Sequence, residues 1–234
     1  MIENIVFGAF PYVVVVLFLF VTIQRYRARG FTVTSLSSQF LESRALYWGS
    51  LPFHIGIILL FFGHFIGFLI PREVMAWNAS PLRLVVLEVT ALAAGLLALV
   101  GLVLLILRRL THARLRAVTS NADTLLYAVL LAQIATGLYV ALVHRWGSSW
   151  YTAVAVPYLK SLFVLEPNVK LLADLPLMVK VHIAGAWVLF AIFPFTRLMH
   201  ILVAPVPYLW RQTQVVIWNR DRRKLRRVAA NEKT

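Results

Sequence analysis

Five apolar stretches dominate this chain, over residues 5–23, 51–70, 82–107, 124–143 and 175–203. About twenty apolar residues wound as a helix cover the ~30 Å of hydrocarbon in a bilayer. Lipid offers no hydrogen bonds, so a chain crossing it must satisfy its own N–H and C=O groups, and a helix does this within one segment. Each stretch is therefore expected to be one transmembrane helix, the longer third and fifth having room to tilt or overshoot. Over the 234 residues 61% are hydrophobic and 14% charged, too little charge to coat a soluble domain. The expected fold class is an all-α integral membrane protein with five transmembrane helices. The first stretch does not read as a signal peptide, because Glu3 precedes it and Arg25, Arg27 and Arg29 follow it.

The charge is lopsided: 23 Lys and Arg against 9 Asp and Glu give a formal net charge of +14. In a soluble chain this would suggest nucleic acid. Between apolar spans it instead sets topology, since basic loops stay on the cytoplasmic side, and no nucleic-acid partner is expected. One side holds Arg25, Arg27, Arg29 and Arg44, then Arg108, Arg109, Arg114 and Arg116, then eight more between Arg211 and Lys233, sixteen of the 23 in all. The other side holds Arg72, Arg83, Arg145, Lys160, Lys170 and Lys180, offset by Glu3, Glu73, Glu88, Glu166 and Asp174. The N-terminus is thus expected outside and the C-terminus in the cytoplasm. A transmembrane domain, 1–204, would be followed by a basic cytoplasmic tail, 205–234, suited to anionic lipid or to a cytoplasmic partner. The outer segment 145–174 carries Trp146, Trp150, Tyr151, Tyr158 and Phe163 and is expected at the outer headgroups. The chain has no cysteine, which removes iron–sulfur clusters held by this chain, thiolate metal sites, disulfides and Cys nucleophiles.

Of six histidines, His112 and His144 fall at loop positions, whereas His54, His64, His182 and His200 lie inside the second and fifth spans. Ionisable groups are expensive there and mark function more often than packing. His54 and His64 are ten residues apart, or ~15 Å of helix; His182 and His200 are eighteen apart, or ~27 Å if unbent. The two spans run in opposite directions. His54 should therefore face His200 near the inner side, and His64 should face His182 near the outer side. A kink at Pro194 could absorb the difference in spacing. Two facing neutral imidazoles are what a six-coordinate haem iron needs. A zinc site would need three or four ligands at one depth, and a di-iron site would need buried carboxylates, for which Glu88 alone is a candidate. Gly56, Gly63, Gly67 and Gly185 flank the histidines, either as room for a flat porphyrin or as ordinary close helix packing. Arg109, Arg114, Arg116 and Arg197 border the inner pair, either as partners of haem propionates or as positive-inside topology.

The chain resembles the gamma subunit, a di-haem cytochrome b, of membrane-bound respiratory nitrate reductase over essentially its whole length. The most specific residues are Phe53-His54-Ile55-Gly56-Ile57 and Gly63-His64-Phe65. Others are Arg108-Arg109-Leu110, Arg114, Arg116-Ala117, Thr119, Ala122-Asp123, Phe193-Pro194-Phe195, Arg197-Leu198, His200-Ile201 and Tyr208-Leu209. The resemblance implies two haem b groups, one on His54 and His200 and one on His64 and His182. It implies a bacterial or archaeal cytoplasmic membrane, with quinol oxidised near the outer haem and its protons released outside. Electrons would pass inward to a cytoplasmic iron–sulfur subunit and a molybdenum catalytic subunit that reduces nitrate in anaerobic respiration. The family has a Lys near the start of the third span that supports the quinone. This chain departs from that pattern, offering Arg83 as the nearest cation, equally readable as an interfacial anchor, and Glu88 as a proton acceptor deeper in. Related gamma-type cytochromes serve sulfur-metabolism and heterodisulfide-type complexes, which is the alternative reading. A haem-free anchor or a transporter fits less well, because neither internal repeats nor polar broken spans are evident.

Overall fold

The computed structural model describes residues 1–30, Val33, Ser38 and 41–203. The expected tail 205–234, with Tyr208-Leu209, lies outside the described residues. Among the described residues the regular structure is helical, and five helices are long and apolar enough to cross a membrane. They are α1 (Phe10–Arg29) with the π-helical turn Asn4–Ala9 before it, α2 (Arg44–Leu69), α4 (Pro81–Thr111), α6 (Asn121–Val143) and α9 (Leu177–Ile192). Shorter helices join them: α3 (Pro71–Asn78), α5 (Ala113–Ala117), α7 (Gly147–Trp150) and α8 (Val156–Phe163). Proline opens α3, α4 and α8, where its missing N–H would have no helical partner anyway.

Neighbouring spans pack in the order α2, α4, α6, α9, α1. Lipid removes the hydrophobic drive between helices, so close backbone contact must supply the attraction. Small residues provide it along α2 and α4: a Cβ on Gly56 would stand 2.5 Å from the Ala94 carbonyl oxygen, and one on Gly101 would stand 2.7 Å from the Gly49 carbonyl oxygen. The α4–α6 seam is Ala98 and Leu102 against Leu126, Leu130, Ile134 and Leu138, a four-residue spacing that lines one face of α6. Val13, Val16 and Phe20 of α1 and Ile58, Leu59 and Phe62 of α2 face outward, as hydrocarbon allows.

The second and fourth elements of this bundle are also tied at one end by charge. Glu42 accepts from the backbone N–H groups of Ala45 and Leu46, at 2.7 and 3.1 Å, at the start of α2. The same carboxylate accepts from Arg108 Nε at 2.6 Å, near the end of α4. Arg108 is 4% exposed and also donates to the Ser38 hydroxyl at 3.0 Å. These partners let α4 overshoot the expected 82–107 without stranding a charge. Desolvation alone would raise the Glu42 pKa, but the Arg108 bond and the two backbone donors outweigh it and hold the carboxyl at about 2.

Two expectations change in detail. The fifth span, expected as one helix with a kink over 175–203, is instead broken. After α9 the chain runs through short 3-10 stretches, Phe193–Phe195 and Arg197–Val203, separated by an extended Thr196. Pro194 has no N–H to give to the helical ladder and its ring crowds the preceding turn. His200 therefore sits on a separate 3-10 stretch rather than on α9. In the outer segment Trp146 and Phe163 are exposed as interfacial residues would be, but Tyr158 is fully buried. Its hydroxyl donates to the Phe7 carbonyl at 2.8 Å, packing α8 on the turn before α1.

The α2–α4 contact predicts that Gly101→Ala destabilises the chain by about 1–3 kcal/mol, because the new methyl meets backbone that cannot rotate away. Thermal unfolding in detergent, followed by circular dichroism, measures this. The depressed Glu42 pKa predicts a linkage of definite sign: its stabilisation is complete above the ordinary carboxylate value and is lost as pH falls from about 4.5 towards 2. The melting temperature should fall over that window, and Glu42→Gln should flatten the drop.

Candidate functional site

His54 and His64 project from α2, His182 from the first turns of α9, and His200 from the 3-10 stretch beyond the break. The rings of His54 and His200 have centroids 6.2 Å apart. At the other level His64 is edge-on to the Tyr151 ring, with centroids 5.3 Å apart, and His182 lies beside Thr136 and Gly137. The helices that carry them do not pack along one another: α2 lies on α4, and α9 lies on α6 and α1. His54 and His200 thus meet across a gap between two non-adjacent spans. The break at Pro194 takes His200 off the line of α9 and brings it to His54.

Each imidazole is oriented through Nδ1. That atom lies 2.7 Å from the Ser50 carbonyl in His54, 2.8 Å from the Leu60 carbonyl in His64 and 2.5 Å from the Arg197 carbonyl in His200. In His182 it lies 3.2 Å from the Thr136 hydroxyl, whose own hydrogen goes to the Ala132 carbonyl at 2.8 Å. A carbonyl oxygen only accepts, so Nδ1 carries the proton and Nε2 keeps its lone pair. This is the tautomer and the outer support of a metal-ligating histidine. Two imidazoles on opposite sides of one metal, with bonds of about 2 Å each, have ring centres roughly 6 Å apart, which matches the His54–His200 pair. Among the described residues no three His, Cys, Asp or Glu side chains converge as a compact metal site. Two imidazoles at one level would hold the metal of a cofactor that supplies the remaining ligands itself.

The flanking glycines divide between the two readings. Gly63 has nothing within 4 Å of a would-be Cβ, so it borders open space. Gly56 serves the α2–α4 contact, a Cβ on Gly67 would stand 3.0 Å from the Tyr151 ring, and one on Gly185 would meet the Gln133 side-chain oxygen. Three further residues at the His64–His182 level escaped the sequence reading. Gly137 leaves room for the His182 ring, 2.9 Å from its would-be Cβ. Gln133 donates to the His182 carbonyl at 3.1 Å. Tyr151, read as an interfacial aromatic, instead donates to the His64 carbonyl at 3.0 Å with its ring edge-on to the imidazole at 5.3 Å. Burial pushes its phenol up to about 12, so it remains a donor. Nothing in the sequence marked Gly137, Gln133 or Tyr151 for these roles.

The candidate quinol residues are held apart by different partners. Arg83 donates to the Trp77 carbonyl at 3.0 Å and the Ala76 carbonyl at 3.3 Å, with its guanidinium 5.3 Å over the Trp77 ring. Glu88 accepts from both the backbone N–H and the hydroxyl of Ser148, at 2.9 and 2.6 Å. The register in which Gly56 meets Ala94 and Ala98 carries on to set Glu88 at about the level of His64. At the opposite end Asp123, 4% exposed, gathers Arg109 and Arg197. It bonds Arg197 through both oxygens, one at 2.9 Å to Nη2, and lies 3.7 Å from Arg109 Nη1. Asp123 also completes a capping box with Ser120 that starts α6. Arg109 further donates to the Thr119 hydroxyl at 2.9 Å, while Arg114 and Arg116 are exposed on α5.

A five-span helical membrane protein with four Nδ1-anchored histidines on two of its spans, two of them facing each other, is the class this fold and site define. A family model described as nitrate reductase gamma subunit matches residues 3–219. The nitrate reductase gamma chain of Bacillus subtilis (strain 168) is 34% identical over 211 residues, covering 89% of this chain and 95% of its own length. The respiratory nitrate reductase 1 gamma chain of Escherichia coli (strain K12) is 34% identical over 215 residues, covering 90% and 95%. The nitrate reductase-like protein NarX of Mycobacterium tuberculosis (strain ATCC 25618 / H37Rv) is 36% identical over 209 residues, 86% of this chain and 32% of that protein. The chain belongs to the nitrate reductase gamma subunit family. It is a multi-pass inner-membrane subunit of a nitrate reductase complex.

The ion cluster generates a prediction. Asp123→Ala leaves Arg197 and the nearly buried Arg109 without their shared carboxylate, and should cost about 3–5 kcal/mol. Denaturant unfolding in micelles measures it; a cost under about 1 kcal/mol would mean that water screens the cluster.

Proposed function

We propose that this chain is the quinol-oxidising, di-haem cytochrome b subunit of its nitrate reductase. The observation that carries the reading is the pair of opposed imidazoles, His54 and His200, 6.2 Å apart, with each Nδ1 on a carbonyl acceptor. His54 and His200 ligate one haem iron; His64 and His182 ligate the other. When bound, the haems supply one-electron carriers at two depths. The remaining work falls to side chains of this chain. Tyr151 holds the His64 backbone, Thr136 fixes the His182 tautomer and Gly63 leaves space beside His64. Quinol gives up two protons with its two electrons. Glu88, held by Ser148 at the level of His64, accepts protons there, and Arg83 fixes the outer start of α4 close to that site. Of the cations considered for haem propionates at the opposite end, Arg109 and Arg197 are engaged by Asp123, which leaves the exposed Arg114 and Arg116 of α5 for that role.

In this reading the basic end faces the cytoplasm, by the positive-inside bias, and the N-terminus lies outside. Residues 1–204 form the haem-bearing domain and 205–234 a basic tail on the cytoplasmic side. An iron–sulfur subunit takes the electrons there, as a chain without cysteine requires of a partner, and a molybdenum subunit reduces nitrate. The family match favours this complex over sulfur-metabolism and heterodisulfide-type relatives.

Reduced-minus-oxidised spectra of the purified chain should show b-type haem bands. His64→Ala or His182→Ala should each remove one haem of the two and keep the other, and His54→Ala or His200→Ala should remove the complementary one. Absence of haem bands, or loss of both haems from an intact bundle after either outer substitution, would overturn the assignment.

A further inference from the structure

We propose that Arg25 is a positioning residue for the His54–His200 haem: α1 clamps the break after α9 and so aims His200 at His54. The inference rests on the reading that these two histidines ligate a haem.

The first span contributes no histidine, yet one face of it lies along the break. Phe18, Thr22 and Arg25 follow the four- and three-residue steps of a single helix face. The Phe18 ring packs on Phe190 and Phe193, with centroids 5.9 and 5.2 Å away. The Thr22 hydroxyl points to the Met199 sulfur at 4.0 Å. Arg25 Nη1 donates to the Pro194 carbonyl at 2.7 Å and to the Thr196 carbonyl at 3.5 Å. Those carbonyls flank the point where the ladder stops, at an extended Thr196 with φ −117° and ψ −176°. Backbone acceptors at a membrane border need a donor from the protein, and a guanidinium offers several in one rigid fork.

The link to the imidazole is short. The Thr196 carbonyl belongs to the peptide that leads into Arg197, and the Arg197 carbonyl receives the His200 Nδ1 hydrogen at 2.5 Å. Arg25 fixes this stretch from the α1 side, and Asp123 fixes the Arg197 side chain from the α6 side. Losing the first clamp lets the peptide rotate, and His200 turns with it. Among the described residues, the supports of His64 and His182 are Leu60, Thr136, Gln133 and Tyr151, all outside this break. The effect is therefore confined to one haem.

The test uses the assembled complex, with redox titration of each haem and low-spin ferric EPR as readouts. Arg25→Ala should keep both haems, shift the midpoint potential and EPR signal of the His54–His200 haem, and leave the other unchanged. Arg25→Lys, which restores a donor, should recover much of the shift, and Phe20→Ala, on the outward-facing side of α1, should cause none. Arg25→Ala moving neither haem or both alike overturns the proposal, as does Phe20→Ala reproducing the shift. Should Arg25→Ala not assemble, Arg25→Gln is read in its place by the same rule. His200→Ala separates the two levels of inference. If it leaves one haem while Arg25→Ala shifts nothing, the Arg25 proposal alone fails; if it keeps both haems, the ligand reading fails and takes the proposal with it.

Discussion

Hydrocarbon gives a peptide group nothing to bond to, and the consequences are sharpest where this protein interrupts a helix. Pro194 and the extended Thr196 break the fifth span close to the basic end, where uncapped carbonyls would be costly. Arg25 comes across from α1 to serve them, and Asp123 comes from α6 to hold the next residue. A break that would otherwise weaken the bundle thereby becomes a junction of three spans. It also lets His200 leave the axis of α9, without which its separation from His182 would overshoot the His54–His64 separation.

The same economy governs the rest of the site. Each of the four spanning histidines has its Nδ1 hydrogen taken by a nearby acceptor, and the second nitrogen is left able to bind. α4 has no histidine of its own, but it seats α2 on one side and α6 on the other, so the histidine helices are held apart at a set distance. Glycine works in opposite senses here. Gly56 and Gly101 bring backbones together, whereas Gly63 keeps space open and Gly137 makes room for an imidazole.

Much of this was legible in advance, for identifiable reasons. Span number follows from hydrophobic run length, because bilayer thickness is a fixed ruler. The pairing of His54 with His200 follows from antiparallel direction and residue spacing alone. Legibility stopped where a residue serves two environments. Tyr151 has the composition of an interfacial aromatic, and only folding of 145–174 back onto α2 turns its hydroxyl to His64. Gly56 and Gly63 are indistinguishable as letters, yet one faces α4 and the other faces a gap. Arg108, Arg109 and Arg197 read alike as topogenic charge, whereas Glu42 and Asp123 bind them into the bundle ends.

By itself the sequence determined that the chain is a five-span helical membrane protein, that its basic excess is segregated, and that its four intramembrane histidines fall on two spans, with His54 facing His200. These are one-dimensional properties, set by run length, charge order and period. Tertiary structure decided which helices touch, which cations are neutralised, and how the fifth span breaks to deliver His200. Those outcomes depend on which side chains from distant segments reach a given carbonyl or carboxylate, and spacing along the chain carries no record of that.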